Sequence, residues 1–157
     1  VPGRLAITGG NGFIGRHLVA AAVQDGRSVV TVVRSQEAAR LVGALGAEAV
    51  LVDGLDEAPL EAVFRETTGI VHLAQIGGER GGETYDKVNV AGTEAVVAAA
   101  RQAGVRRLVF LSGLGVSQYG IKPRCTNRYF LSKLAAEVCL FRSGLEVTVL
   151  RPSYVLG

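Results

Sequence analysis

At 157 residues, nearly half of them apolar and a fifth charged, the chain has the size and balance of one globular domain and not of a disordered segment. Its net charge of +3 is spread over scattered arginines (Arg27, Arg34, Arg40, Arg101, Arg106 and Arg107); without a basic stripe or a reading motif, a nucleic-acid partner is excluded. No apolar run is long enough to span a bilayer and no leader pattern opens the sequence as written, so a cytoplasmic protein is expected.

The elements alternate in chain order. Leu5–Thr8 is a short apolar strand that runs into glycines. From Gly12 to Asp25 the apolar positions 14, 18, 21 and 22 have helical spacing, and Gly26 ends the helix. Ser28–Val33 is rich in β-branched residues and predicts a buried strand. Gln36–Leu45 predicts a helix, Ala49–Val52 a short strand and Pro59–Glu66 a helix. Asp56 and Glu57 lie near the start of that helix, where its dipole favours negative charge. Gly69–Ala74 is a fourth strand. The Gly77–Gly82 stretch, GGERGG, predicts a mobile surface loop. A long helix over Tyr85–Ala103, a strand over Arg107–Leu111 and a Gly/Ser-rich loop over Ser112–Gly120 come next. Asn127–Ser143 is helical, and Val147–Leu150 is the last strand, stopped by Pro152.

Strands this apolar must be covered on both faces, so the predicted fold is α/β, a doubly wound parallel sheet of the Rossmann type. One dinucleotide-binding domain over residues 1–157 is expected. The absence of methionine and the start at Val1 point to a piece of a longer product. Cys125 and Cys139 have no metal-ligand spacing, so no metal is expected and both are read as small buried apolar residues.

The glycines at 9, 10, 12 and 15 follow the first strand and open the first helix. That context turns a glycine-rich turn into a pyrophosphate cradle. The loop must turn sharply and bring backbone N–H groups to phosphate oxygens without a Cβ in the way, and the helix points its positive end at the anion. Gly15 is expected to let the helix pack close to the sheet. Thr8, Asn11, Phe13 and Ile14 complete the segment. An NAD site places an acidic residue after the second strand. Here that position reads Arg34-Ser35, a fork for a 2′-phosphate and a further hydrogen bond, so NADP(H) is favoured over NAD(H). Asp53 and Gly54, after the third strand, are placed for the adenine, and Leu73 and Ala74, after the fourth, for the rest of the cofactor. Tyr129 and Lys133 are four apart and share a helix face. A neighbouring ammonium is expected to lower the tyrosine pKa and make the pair an acid–base for a carbonyl or alcohol. His17 and His72 are read as a helix-surface residue and a strand residue rather than ligands.

Together these residues resemble the extended branch of the short-chain dehydrogenase/reductase superfamily, the epimerases and dehydratases. The resemblance rests on Thr8-Gly9-x-x-Gly12-x-x-Gly15, on Asp53 within VDGLD, on VHLAQ at 71–75 and on Asn89-Val90-Ala91-Gly92-Thr93. Tyr129-Phe130-Leu131-Ser132-Lys133 and Arg151-Pro152 with Gly157 complete it. It implies an NAD(P)-dependent oxidoreductase or epimerase/dehydratase acting on a sugar nucleotide or a related small carbonyl or alcohol substrate. Tyr129 would be the acid–base, Lys133 its electrostatic partner and ribose anchor, and Ser112 the oxyanion-side donor. Asn89 and Pro152 would flank the cofactor. Members of that branch continue into a C-terminal substrate-binding part, which is expected to lie outside this sequence, and the helices carrying Asn89 and Tyr129 commonly form a four-helix homodimer interface. The usual Ser or Thr pair reads Ser112-Gly113 here. With phrases such as FLSGLGV and LRPSYVLG, this also resembles an atypical subgroup that includes relatives of the accessory Rossmann subunit of respiratory complex I. The alternative that resemblance carries is a non-catalytic NADP(H)-binding structural module.

Overall fold

Every residue of the second strand, Val29–Val33, is buried. A strand can be buried throughout only in the middle of a sheet covered on both faces. The computed structural model, which describes residues 3–157, has that arrangement. Six parallel strands run β1 (Leu5–Thr8), β2 (Val29–Val33), β3 (Glu48–Leu51), β4 (Gly69–His72), β5 (Arg107–Leu111) and β6 (Glu146–Leu150). Their order in the sheet is β3-β2-β1-β4-β5-β6, all parallel. The order reverses between β1 and β4, which opens a crevice at their carboxyl ends.

Among the described residues five α-helices cover the sheet: α1 (Phe13–Gln24), α2 (Gln36–Ala44), α3 (Glu57–Phe64), α4 (Gly92–Gln102) and α5 (Arg128–Phe141). On one face Ile7, Val29 and Val33 pack with Val19 and Ala22 of α1 and Ala38 and Val42 of α2. On the other, Ala6, Val30, Ile70, Leu108 and Phe110 pack with α3, α4 and α5 through Leu60, Phe64, Val96, Ala136 and Leu140. The alternation of strand side chains therefore divides the core into two layers. Among the described residues no helix is long and apolar enough to cross a membrane. Cys125 and Cys139 are unpaired and only partly buried, so the small-buried-residue reading overstates their enclosure.

Four differences from the sequence-based expectation have physical causes. The third helix begins at Glu57 with Asp56 before it, two residues ahead of Pro59; a proline in the first turn costs nothing because its missing N–H has no helical acceptor there. Strand β4 stops at His72, and the amides of Leu73 and Ala74 reach the Thr8 hydroxyl at 3.2 and 3.3 Å. The long helix expected over Tyr85–Ala103 is two helices: Asp86–Ala91 is π-helical and α4 begins at Gly92. Wide π turns are rare and concentrate at functional sites. Finally, the surface stretch GGERGG runs into a defined turn. Arg80 and Glu83 exchange both backbone hydrogen bonds, at 3.2 and 3.0 Å. Between them Gly81 and Gly82 both have positive φ (58° and 82°), which a two-residue type I′ hairpin turn demands.

Candidate functional site

The glycine loop is fixed by contacts that exclude side chains. Gly9 has a φ of +72°, and a Cβ there would lie 2.8 Å from the backbone nitrogen of Ala74. A Cβ on Gly15 would overlap the Gly9 carbonyl and the Gly10 backbone. The helix thus packs on its own loop, and this close approach, rather than one to the sheet, is what Gly15 permits. Gly10 is buried against Thr31 and Val19, so it shapes the turn from below.

Gly12 is exposed, in extended conformation, at the N-cap of α1. Helices α2 and α5 have side-chain caps, Ser35 Oγ accepting from Ala38 N and Asn127 Oδ1 from Tyr129 N and Phe130 N. α1 has no side-chain cap and no acidic residue in its first turn. Its first N–H groups and its dipole therefore point at the crevice without an internal partner, which fits a pyrophosphate.

The crevice is a cleft of about 970 Å³, at the upper end of the size of small-molecule sites. Of the sequence-predicted cofactor residues, Gly9, Asn11, Gly12, Arg34, Ser35, Asp53, Gly54, Leu73 and Ala74 line it. Gln75, the end of the VHLAQ segment, lines it as well, and so do Ile76, Glu83 and Lys87, which the sequence reading does not single out. Ser35 faces the cleft while its oxygen caps α2.

Other predicted residues sit behind the walls. The Thr8 side chain is fully buried and supports the loop instead of facing the cleft. Its hydroxyl receives the Leu73 and Ala74 amides and lies 2.7 Å from His72 Nδ1. With both lone pairs used, its proton goes to Nδ1, which leaves the His72 proton on Nε2, 3.0 Å from Thr93 Oγ1. Thr93 in turn donates to the Asn89 carbonyl at 2.7 Å. Burial, with the Lys133 charge adding to it, pushes His72 down to about 3, so the ring is neutral and structural.

Asn89 is also fully buried, and its polar atoms are all occupied. Oδ1 accepts from Ile76 N at 2.8 Å, and Nδ2 donates to Ile76 O and Ser132 Oγ at 3.1 and 3.0 Å. It braces the segment after β4 against α5 and does not line the cleft. Phe13 and Ile14 belong to the first turn of α1, and the Pro152 carbonyl is taken by Leu114 N at 3.0 Å.

The chemistry-bearing pair stands at the carboxyl end of β5, one strand beyond β4. Lys133 is 3% exposed, and its Nζ donates to the Leu111 carbonyl at 2.8 Å. Nζ also sits 5.0 Å from the Phe110 ring centre and 5.7 Å from that of Tyr129. Burial lowers the Lys133 pKa to about 8, against the pull of the Glu137 carboxylate, which raises it. The Tyr129 phenol does not follow the expected direction. Burial pushes it up, and Tyr85, whose ring meets it edge-on at 5.9 Å, pushes the same way. Lys133 aims its charge at Leu111, so the ammonium does not outweigh desolvation, and Tyr129 is a protonated phenol at neutral pH.

Ser112, expected as the oxyanion-side donor, does not line the cleft. It is in phase with the buried Leu108 and Phe110, so its side chain turns inward toward Glu137; Oγ is buried there, near enough to lower the Glu137 carboxyl but without a hydrogen bond of ordinary geometry. Phe130 lies against Gly113 and Gly115, 3.3 Å from where either Cβ would be.

Beneath lies a group that the sequence reading misses. Glu137 is 1% exposed and accepts two hydrogen bonds from Arg151, one of them from Nε at 2.9 Å. Burial works to raise its carboxyl, but the Arg151 hydrogen bonds, with Ser112 beside it and the Arg151 and Lys133 charges, bring it below the usual range. Tyr129, Lys133 and Glu137 follow at four-residue steps on one face of α5. A charged residue on a buried face was the available signal.

The profile of the NAD(P)H-binding family matches residues 9–156. The chain is 33% identical to the uncharacterized sugar epimerase YhfK of Bacillus subtilis, covering 95% of this chain and 71% of that protein. It is 32% identical to a 4-hydroxy-2-methyl-3-oxo-4-farnesyl-3,4-dihydroquinoline-1-oxide ketoreductase of Stigmatella aurantiaca, with 98% of this chain and 51% of that protein covered. In several other curated relatives, too, it spans about half of their length. Among solved structures, a Bacillus halodurans protein assigned as an NAD-dependent epimerase/dehydratase superposes with a TM-score of 0.83 at 25% identity, over 96% of this chain and 70% of that one. The chain belongs to the NAD(P)H-binding family, in the epimerase/dehydratase-like branch of the short-chain dehydrogenases/reductases.

Proposed function

We propose that this chain forms the cofactor half of an NADP(H)-preferring reductase or epimerase that acts on a sugar nucleotide or a related carbonyl or alcohol substrate. The observation that carries the proposal is that two features lie at the carboxyl end of the sheet on either side of β4, although Tyr129 and Lys133 do not themselves line the cleft. An uncapped helix N-terminus behind a side-chain-free loop faces the crevice, and the Tyr129–Lys133 pair stands one strand away. A bound nicotinamide cofactor would supply or accept the hydride. Gly9, Gly12 and the first amides of α1 would hold its pyrophosphate, Asp53 would meet its adenosine end, and Arg34 would take a 2′-phosphate.

The chain's own contribution is then the proton. Tyr129, held protonated, can donate to an oxygen that gains negative charge as a carbonyl is reduced. The Lys133 ammonium, 5.7 Å from the Tyr129 ring, would stabilise the phenolate left behind, and it would have to turn from the Leu111 carbonyl to anchor a ribose. The direct test is hydride transfer from NADPH to a panel of carbonyl substrates, followed as loss of the reduced cofactor by the full-length protein.

Lys133 sets the pH dependence. Its pKa of about 8 means the ammonium is present below that value and lost above it. The reduction rate therefore holds through neutral pH and falls as pH rises past about 8. A rate that stays flat across that window contradicts the role. A second prediction concerns the cofactor. Arg34→Ala weakens NADPH by about 10- to 100-fold, the worth of a charged hydrogen-bonded pair, and leaves NADH nearly unchanged. Equal effects on the two cofactors would remove Arg34 from selectivity.

One observation favours a second reading, a cofactor-binding module without turnover. The Ser112 hydroxyl is sealed from the cleft and Phe130 fills the space beside Gly113. Turnover that depends on Tyr129 decides between the two.

A further inference from the structure

The Arg34 guanidinium that would receive a 2′-phosphate is already paired. It bonds the Glu83 carboxylate, 49 residues further along the chain. Glu83 closes the hairpin turn Arg80–Glu83, and that hairpin is held in place at several points. Its two backbone hydrogen bonds and two positive-φ glycines set the turn. Behind it, Glu79 accepts from Tyr85 N at 3.0 Å and from Arg128 at 2.8 Å, and the Tyr85 hydroxyl donates to the Gly77 carbonyl at 3.1 Å. The carboxylate is thus presented to the cleft by a hydrogen-bonded turn, and Glu83 lines the cleft together with Arg34.

The charges around that end sharpen the consequence. The cleft is lined by two cations, Arg34 and Lys87, and by four carboxylates, Asp53, Asp56, Glu57 and Glu83. A phosphate monoester carries close to two negative charges at neutral pH. It can bind Arg34 bidentately only after Glu83 has let go, and Glu83 would then stand as a like charge beside it. An unphosphorylated adenosine ribose makes no such demand and leaves the pair closed.

We propose that Glu83 is a cofactor-selectivity residue: its carboxylate latches Arg34 across the mouth of the cleft and competes with the 2′-phosphate, so that it holds NADP(H) preference below what Arg34 alone would give. The proposal rests on the reading of Arg34 as the 2′-phosphate ligand. The pair is solvent-exposed, at 61% for the Arg34 side chain and 34% for Glu83, so the latch opens readily and its effect is modest and sensitive to salt.

The test is calorimetric titration of NADPH and NADH into the wild type, Glu83→Gln, Arg34→Ala and the double variant. Glu83→Gln is isosteric and exposed, so the fold is kept, and a thermal melt checks it. Glu83→Gln tightens NADPH by about two- to five-fold, leaves NADH unchanged within error and loses most of its effect on NADPH when Arg34 is absent. If Arg34→Ala weakens NADPH while Glu83→Gln changes nothing, or shifts both cofactors alike, the latch is overturned and Arg34 keeps its role. If Arg34→Ala leaves the NADPH-to-NADH ratio unchanged, the reading of Arg34 falls and the latch with it.

Discussion

Tyr129→Phe lowers turnover of a carbonyl substrate by about 10²- to 10⁴-fold, the usual worth of a positioned acid–base group, and leaves NADPH affinity within about two-fold. That loss equals roughly 3–5 kcal/mol of transition-state stabilisation. The variant is informative because little else depends on the hydroxyl. The ring packs edge-on against Tyr85 at 5.9 Å and Phe130 at 5.2 Å, contacts that phenylalanine repeats. Stability should therefore stay within about 0.5 kcal/mol of the wild type, as for substitutions that touch no cap, core or network. Steady-state kinetics beside a thermal melt separates the two effects. Unchanged turnover removes Tyr129 from the chemistry, and an absence of turnover in the wild type favours the cofactor-binding module.

Gly12→Asp removes cofactor binding while the fold persists. Gly12 is the rare position in the loop where a side chain fits. Its φ of −71° and ψ of 175° are ordinary for an aspartate N-cap. A Cβ would meet only the Gly9 carbonyl, at 3.3 Å, which asks that carbonyl to give by a few tenths of an ångström. The new carboxylate would cap the amides that α1 leaves open and occupy the place of the pyrophosphate with the same sign of charge. Affinity for either dinucleotide then falls by at least about 100-fold, roughly 2.8 kcal/mol. The cap itself supports the helix. Gly15→Ala would not make this separation, because its Cβ collides with backbone and disturbs loop and helix together.

The sheet was legible in the sequence because its signals are local. Val29–Val33 announces a buried strand by composition, and glycines at 26, 46, 104 and 144, all at positive φ, mark helix ends. The cleft residues that follow strands, such as Asp53 and Leu73, were legible for the same reason. What escaped depends on partners far along the chain. Nothing within Tyr85–Ala103 tells that Asn89 will tie Ile76 and Ser132 together and that its stretch will widen into a π turn. The Arg34–Glu83 pair joins residues on opposite sides of the cleft. The Tyr129 pKa was misjudged because spacing shows that Lys133 shares its face but not that its Nζ turns to Leu111. Ser112 was different, since the alternation of Leu108 and Phe110 already pointed its side chain inward.

The central claim is that the loop at Gly9–Gly15 holds a dinucleotide at the N-terminus of α1, and isothermal titration of NADPH into the wild type and Gly12→Asp tests it most directly. The expected result is one saturable site in the wild type, competed by NADH, and no measurable binding to a Gly12→Asp protein whose melting temperature is unchanged or raised. Equal binding to both proteins, or none to the wild type, contradicts it.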